Sequence, residues 1–470
     1  MDTLVKDFGT RHFGAAQLGD RRRTKRLVRV ADRLAAHPGG SLPEKRHAPA
    51  DLRALYRLLN HPRTTHAAVL ATHYEQTRRR MAPCAAVVLL IHDTTELNLS
   101  GKRSLHPELG QLACGGTARG YLCHNSLALT AGGEPLGLAN QILQARRRRP
   151  KNEPRAKGRR RRHRESRLGQ RGRQALGRRP ADQTWVDVCD RGGDAFEFLD
   201  DEQQTGGLYR VRSRSDRCGW VGHGPDGAAV KLHGHLRELA ARGVRPLAVL
   251  PSPQQPGRQT TVAVAWAELR LRPPPPGEAR GQHGQEPLRV WALRVWEVSP
   301  PAGSEPLEWL LLTNRPVVAL AAAWQRVDWY QWRWPVAEEF HKAQKTGGQV
   351  EGPQFTTTQA LRPTIGVLSV VAWRLLRLRW LSRQEPTAAE PAVQHVPRAW
   401  VVWLNRWRLG REEAGWTVRE FFLALARLGG HQNRKRDGPP GWQVLWKGWT
   451  KLHTVLEFTS APDGPNCGQT

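Results

Sequence analysis

Residues 85–91 (AAVVLLI) form an unbroken apolar run that stops at His92 and Asp93. Seven residues are far short of the roughly 20 that cross a bilayer, so the run reads as a strand with both faces buried that delivers a carboxylate at its end. Residues 185–190 (WVDVCD) repeat the pattern and end on Asp190. Side chains alternate along a strand, so Asp93 shares a face with Leu89 and Ile91, and Asp190 with Val186 and Val188. Asp187 lies an odd number of residues from Asp190, points to the opposite face and is the weaker candidate. An aspartate at a strand end is also a common turn or cap residue, so neither position identifies chemistry alone.

The 470 residues imply more than one core. Residues 1–80 read as helical: Leu27, Val28, Val30, Ala31, Leu34 and Ala35 recur at helical spacing, as do Leu52, Leu55, Tyr56 and Leu59, with a loop at 37–43 between them. The polar side of the first helix carries Arg21, Arg22, Arg23, Lys25 and Arg26, with few acids to balance them, which favours a small DNA-binding module over a merely solvated face. Residues 121–129 and 136–142 read as further strands. From 146 to 179 the chain is mostly Arg, Lys, Gly and Pro, and it reads as an exposed insertion without order of its own. A helix that includes Phe196 and Leu199 follows Asp190. Residues 207–320 are strand-like, notably 262–266, 288–298 and 309–313, with prolines 273–276 as a stiff connector. A helix is expected from about Pro335, an apolar helix over 365–381, and a tryptophan-rich helical end.

The formal charge of +31 demands a polyanion, either nucleic acid or an anionic membrane surface. No apolar run is long enough to span a bilayer and the N-terminus has no signal-peptide core, so DNA or RNA is the expected partner and no membrane is involved. A GC-rich coding bias toward arginine accounts for part of the excess without removing the need for a counter-charge. Cys84, Cys114, Cys123, Cys189, Cys218 and Cys467 include no CxxC pair; the nearest approach to a metal pattern is Cys114 with Cys123 and His124, and it lacks the paired ligands of a zinc module.

Phosphodiester chemistry suits carboxylates at strand ends with a third acid on an adjoining helix, because hard divalent cations take oxygen ligands. Residues 330–347 (YQWRWPVAEEFHKAQKTG) supply the candidate. Glu338 and Lys345 are seven apart, which stacks them on one helical face over two turns. An ordinary surface helix with a Glu338–Lys342 pair satisfies the same spacing.

These residues resemble the cut-and-paste DDE transposases of the bacterial insertion-sequence-four family, whose signature is a Tyr, Arg, Glu, Lys series on the helix of the third acid. Residues 13–20 (FGAAQLGD) with 22–27 (RRTKRL), 92–95 (HDTT), 188–191 (VCDR) with Asp194, and 426–430 (ARLGG) with 434–436 (RKR) and 442–449 extend the resemblance over almost the whole chain. Residues 306–313 (PLEWLLLT) are similar to the family strand whose tryptophan stacks on a flipped base.

The resemblance implies an α/β protein with an RNase H-like catalytic core interrupted by a β-rich insertion. The division it implies is a helical DNA-end-binding domain at 1–80, core at 81–206 (with the Arg-rich insertion at 146–180) and 321–385, the β-rich insertion at 207–320, and a helical C-terminal dimerisation region at 386–470. Asp93, Asp190 and Glu338 would hold two Mg2+ ions, with Mn2+ able to substitute. Tyr330, Arg333, Lys345, Trp309, Arg191, Arg22, Arg23, Lys25 and Arg26 would contact DNA, with Arg191 and Asp194 also supporting the acids. The implied activity is nicking at transposon ends, a hairpin intermediate and joining to target DNA. The implied partners are double-stranded DNA with terminal inverted repeats, target DNA and a second copy in a homodimeric synaptic complex, in the bacterial cytoplasm at the nucleoid. A nuclease of the same fold and a catalytically decayed DNA-binding copy are the rivals. The family places three residues between its Arg and Glu, whereas four separate Arg333 from Glu338. On one unbroken helix the extra residue would rotate Tyr330 and Arg333 by roughly 100° relative to Glu338. A helix that starts or kinks at Pro335 would absorb it.

Overall fold

The structure, a computed structural model, describes residues 8–37, 49–84, 87–113, 117–146, 168–221, 227–249, 257–274, 283–434 and 437–459. The expected loop beyond His37, residues 85–86, most of the Arg-rich segment, Pro275 and Pro276, Lys435, Arg436, Cys114 and Cys467 lie outside the described residues.

Helices α1 (Phe8–Phe13), α2 (Arg21–Ala36), α3 (Pro49–Leu59) and α4 (His66–Met81) come first. In α2, Leu27, Val30, Ala31 and Leu34 are buried along one stripe, which leaves Arg21, Arg22, Lys25 and Arg29 exposed on the other side. Gly19 turns the chain into this helix at φ 74°, and the Asp20 carboxylate caps it by accepting from the Arg22 backbone N–H at 2.7 Å.

Strands β1 (Val87–Asn98), β2 (Gly110–Gln111), β3 (Arg119–Thr130) and β4 (Pro135–Gln144) pair antiparallel. On the other side of β1, β5 (Thr184–Cys189) and then β6 (Leu208–Arg212) pair parallel, which gives the order β4-β3-β1-β5-β6. Parallel neighbours need crossovers; α5 (Leu168–Ala175) lies on the first and α6 (Phe196–Gln204) forms the second. The strand-rich block does not make a separate layer. Its last strand, β12 (Glu308–Thr313), pairs antiparallel with β6, followed outward by β11 (Leu288–Glu297) and β10 (Arg258–Leu271). The shorter β7 (Cys218–Val221), β8 (Ala228–Lys231) and β9 (Gly243–Val249) finish this mixed sheet, and one short helix, α7 (Leu232–Glu238), interrupts the block.

Alternation along β1 and β5 divides the packing as expected. Leu89, Ile91, Val186 and Val188 join the large core that includes Ile365 and Leu368 of α10 (Thr358–Leu381), while Val88, Leu90 and Trp185 face a smaller core with Met81 and Leu176. The Arg-rich segment requires a correction, because its last part is ordered as α5. Leu168, Gly172 and Leu176 recur every four residues and are buried on the back of the sheet. A Cβ on Gly172 would lie 2.7 Å from His124 Nε2, so only glycine permits this approach.

Two helices, α8 (Leu320–Gln331) and α9 (Arg333–Lys342), and a π-helical turn (Ala343–Gly347) lead into α10. The chain ends in α11 (Arg398–Leu409), α12 (Val418–Leu428, opened by a Thr417–Glu420 capping box) and α13 (Trp442–Thr459). Trp449 Nε1 donates to the Ala35 carbonyl at 2.8 Å, so α13 closes on α2. Among the described residues, no helix is long and apolar enough to cross a membrane.

Candidate active site

The β1–β5 ladder ends at the pair His92–Cys189, so Asp93 and Asp190 lie side by side just past it. Asp190 follows the last residue of β5, whereas Asp93 does not end its strand as expected, because β1 runs on to Asn98 in its pairing with β3. Asp190 also caps a short 3-10 turn (Arg191–Gly193), its carboxylate accepting from the Gly192 N–H at 2.7 Å. Asp93 Oδ1 accepts from the Thr94 N–H at 2.8 Å, and Oδ2 accepts from Arg333 Nη1 at 2.9 Å. Burial pushes the Asp93 carboxyl up to about 6; Arg333 opposes the rise and the adjacent Asp190 charge adds to it. Burial also works against the charge of Arg333, but Tyr330, Asp93 and Asp190 outweigh it and raise that guanidinium above its ordinary value.

The extra residue between Arg333 and Glu338 is not absorbed by a helix start at Pro335. Trp332, itself helical at φ −65° and ψ −19°, separates α8 from α9, which starts at Arg333 with Pro335 in its first turn. A proline has no N–H to give to the carbonyl four residues back, which here is that of Gln331, the last residue of α8. Arg333 and Glu338 then share α9 at five residues' separation, roughly 140° apart around the axis. A second departure follows: Lys345 sits in the π turn, so it does not stack over Glu338 as in a regular helix.

Glu338 faces His341, whose imidazole is driven down to about 4 by burial against the favourable pull of Glu338. Its neighbour Glu339 is committed elsewhere, to Arg379, to the indole N–H of Trp442 and to Lys342 at 3.7 Å. The surface-helix pairing therefore runs through Glu339, and the Glu338–Lys342 pair does not form.

Several expected DNA contacts lie in one chain of touching side chains. Trp309 on β12 meets Tyr330 edge-on with ring centroids 5.3 Å apart, and the Arg333 guanidinium lies 6.0 Å from the Tyr330 ring. Arg191 is exposed near Arg212. Asp194 turns away: it accepts from the backbone of Arg214 and Ser215 and from Arg217 at 2.7 Å, and so anchors the loop after β6. On α2, Arg22 and Lys25 are exposed and Arg26 is half-buried, whereas Arg23 donates to the Leu18 carbonyl at 2.7 Å.

The donor set at Asp93 and Asp190 suits a hard divalent cation, because two adjacent carboxylates at a partly dry site repel until a cation joins them. Arg333 supplies part of that positive charge. Glu338 stands on α9, which packs beside β1, but among the described residues no group of three or more His, Cys, Asp or Glu side chains converges as a metal cage. Cys123 and Cys189 are buried unpaired thiols, and burial pushes Cys123 up to about 12.

Sequence reasoning set Asp187 aside by parity and passed over His92. Both are buried on the back of the sheet, His92 Nε2 lying 2.7 Å from Asp187 Oδ1. A signal was present: a mid-strand aspartate on a buried face requires a partner, and His92 has the matching parity on β1.

Residues 6–64 match the transposase DNA-binding family, a span that takes in α1, α2 and α3 and stops just before α4. The match supports a transposase with DNA as its partner.

Proposed function

We propose that the chain is a cut-and-paste DNA transposase whose chemistry centres on Asp93, Asp190 and Glu338. The observation that carries the proposal is the adjacency of Asp93 and Asp190 just past the last pair of two parallel strands, in a chain with a transposase DNA-binding region at residues 6–64. The order β4-β3-β1-β5-β6, three antiparallel strands followed by two parallel ones, supports an RNase H-like core with β7–β12 as its insertion. The family resemblance would divide the rest into an end-binding N-terminal domain and a C-terminal dimerisation region.

Asp93 and Asp190 would hold the cations at the end of the β1–β5 ladder, and Glu338 would complete the site from α9. A bound pair of Mg2+ ions supplies activation of an attacking hydroxyl and stabilisation of the leaving oxygen. The chain's own groups do the positioning. Arg333, tethered by Asp93, presents a guanidinium for the phosphate next to the scissile bond. Trp309 offers its indole beside Tyr330 for an unstacked base, a task that suits an aromatic face because stacking stabilises a base without reading it. Lys345 and Arg191 add phosphate contacts, and α2 grips the terminal repeat through Arg22, Lys25 and Arg26. The products would be a nick, a hairpin end and then a joined strand in target DNA, made by two copies in a synaptic complex.

The decayed-copy reading has two observations in its favour, the absence of a three-acid cluster among the described residues and the roughly 140° between Arg333 and Glu338 around α9. Incubating the full chain with Mg2+ and DNA that carries its flanking inverted repeats decides between them. Nicked and hairpin products that disappear in Asp93→Ala support the transposase. Tight end binding with no cleavage in Mg2+ or Mn2+ leaves a DNA-binding protein, and cleavage without joining of precut ends leaves a nuclease.

A further inference from the structure

The back of the catalytic sheet holds a buried polar network that the proposed chemistry does not use. At its centre the His92 imidazole lies between two strands: Nε2 meets Asp187 Oδ1 on β5 at 2.7 Å, and Nδ1 meets Ser126 Oγ on β3 at 3.0 Å. All three residues are at most 2% exposed. The ring stacks on His124 at 5.6 Å and 15°, and His124 Nδ1 is bonded in turn to Thr94 Oγ1 at 2.9 Å. Asp187 is steadied from the other side by Arg173 of α5 at 3.4 Å, and Arg173 also reaches Glu202 of α6 at 3.5 Å. Burial, then the Asp187 charge, pushes Glu202 up to about 9.

The position of this network gives it a consequence. His92 is the last β1 residue in the ladder with β5, and Asp93 follows it immediately; Asp187 stands three residues before Asp190 on β5. The His92–Cys189 pair is the last rung between the two strands, while β1 stays paired with β3 beyond it, Asp93 opposite Asn125. The imidazole ties β3, β1 and β5 together at this level by side-chain bonds. Burying three polar side chains in an apolar sheet face costs free energy that apolar residues would not, so the arrangement is expensive unless geometry is what it supplies.

We propose that His92 and Asp187 are positioning residues that set the spacing of the Asp93 and Asp190 carboxylates from the opposite face of the sheet. The inference rests on the reading of those carboxylates as cation ligands. Groups that orient metal ligands without touching the ion typically contribute about 10- to 100-fold to its affinity. His92→Phe keeps the ring's shape and its stacking on His124 while removing both hydrogen bonds, and Asp187→Leu keeps the volume while removing the acceptor.

The test is Mn2+ binding by the full chain without DNA, read from the free-ion electron paramagnetic resonance signal, with thermal melting to confirm folding. His92→Phe and Asp187→Leu should each weaken Mn2+ binding by about 10- to 100-fold. Val88→Ala, a packing change on the same face of β1, should lower the melting temperature and leave Mn2+ affinity unchanged. Ser126→Ala cuts only the β3 side with little change of volume, and should weaken binding several-fold even if His92→Phe does not fold. Folded variants that bind Mn2+ as the unaltered chain does would overturn the pair's role. So would a loss in Val88→Ala equal to theirs, since that is general loosening. No Mn2+ uptake by the unaltered chain, or undiminished uptake by Asp93→Ala, sinks the carboxylate reading itself and takes the pair's role with it.

Discussion

Arg333 Nη1 lies 2.9 Å from Asp93 Oδ2, a contact between residues 240 apart in the chain. It joins the residue that the extra signature residue displaces around the helix axis to the carboxylate just past the end of the β1–β5 ladder. Tyr330 lies at the end of α8 against Trp309, and Arg333 opens α9, with the single residue Trp332 between them. The guanidinium is a resident counter-charge that offsets only part of the cost of burying Asp93.

That imbalance has a sign. The Asp93 carboxyl stands at about 6 in the folded chain against 3.8 for an ordinary one, so the folded state holds the proton more tightly than the unfolded state does. The contribution of this group to stability is therefore most favourable at low pH and declines as pH rises from about 3.8 to 6. Asp93→Asn, which cannot ionise, should melt at a higher temperature than the unaltered chain at pH 7 in metal-free buffer, and the difference should shrink toward pH 4. Arg333→Met should move the other way, because the one opposing cation is gone. Equal melting temperatures for Asp93→Asn and the unaltered chain at pH 7 would contradict this reading.

Adjacent glutamates on α9 separate chemistry from architecture. Glu339 binds Arg379, Trp442 and Lys342, and so holds α9 to α10 and α13. Glu339→Gln should cost about 1–3 kcal/mol of stability, the usual penalty for stripping a partner from a partly buried charged pair. Glu338→Gln should leave the melting temperature nearly unchanged and cut Mg2+-dependent cleavage by about 100-fold or more, the scale seen when a charge-stabilising group leaves an active site. The reverse pattern would make Glu339 the third acid.

What could be read from the sequence was whatever alternation and short-range chemistry determine. The faces of Asp93 and Asp190 follow from parity, and the structure divides Leu89 and Ile91 from Val88 and Leu90 as parity requires. Composition misled at residues 168–175, where arginines concealed the four-residue spacing of Leu168, Gly172 and Leu176. The π turn at Lys345 and the continuity of the strand-rich block with β6 were not legible, because both depend on partners about a hundred residues away or on a close approach between helices. His92–Asp187 was legible in principle, because an aspartate within a strand on a buried face requires a partner of matching parity.

The close approach that accompanies the π turn is testable. Gly347 faces the Trp446 indole so closely that a Cβ would overlap Nε1, which no side-chain adjustment of a buried tryptophan relieves. Gly347→Ala should destabilise the chain by about 1–3 kcal/mol, as overpacking does. Trp446→Ala should recover part of that loss in the double variant. A fully additive double variant would mean that the two residues do not press on each other.

The exposed face of α2 sets the last expectation. Arg22 and Lys25 project to solvent from a helix whose other side is buried, while Arg23 is partly spent on the Leu18 carbonyl. Each cation that neutralises a DNA phosphate releases counterions, so log K falls with log salt by about 0.9 per contact. Arg22→Gln and Lys25→Gln should each flatten that slope by about one unit and weaken binding to many sequences alike. Arg23→Gln should change the slope less and lower thermal stability more, because it loses the carbonyl contact that fastens the turn before α2. An equal slope change in all three variants would show that Arg23 leaves its carbonyl to meet DNA, and would make the Leu18 contact a feature of the DNA-free chain alone.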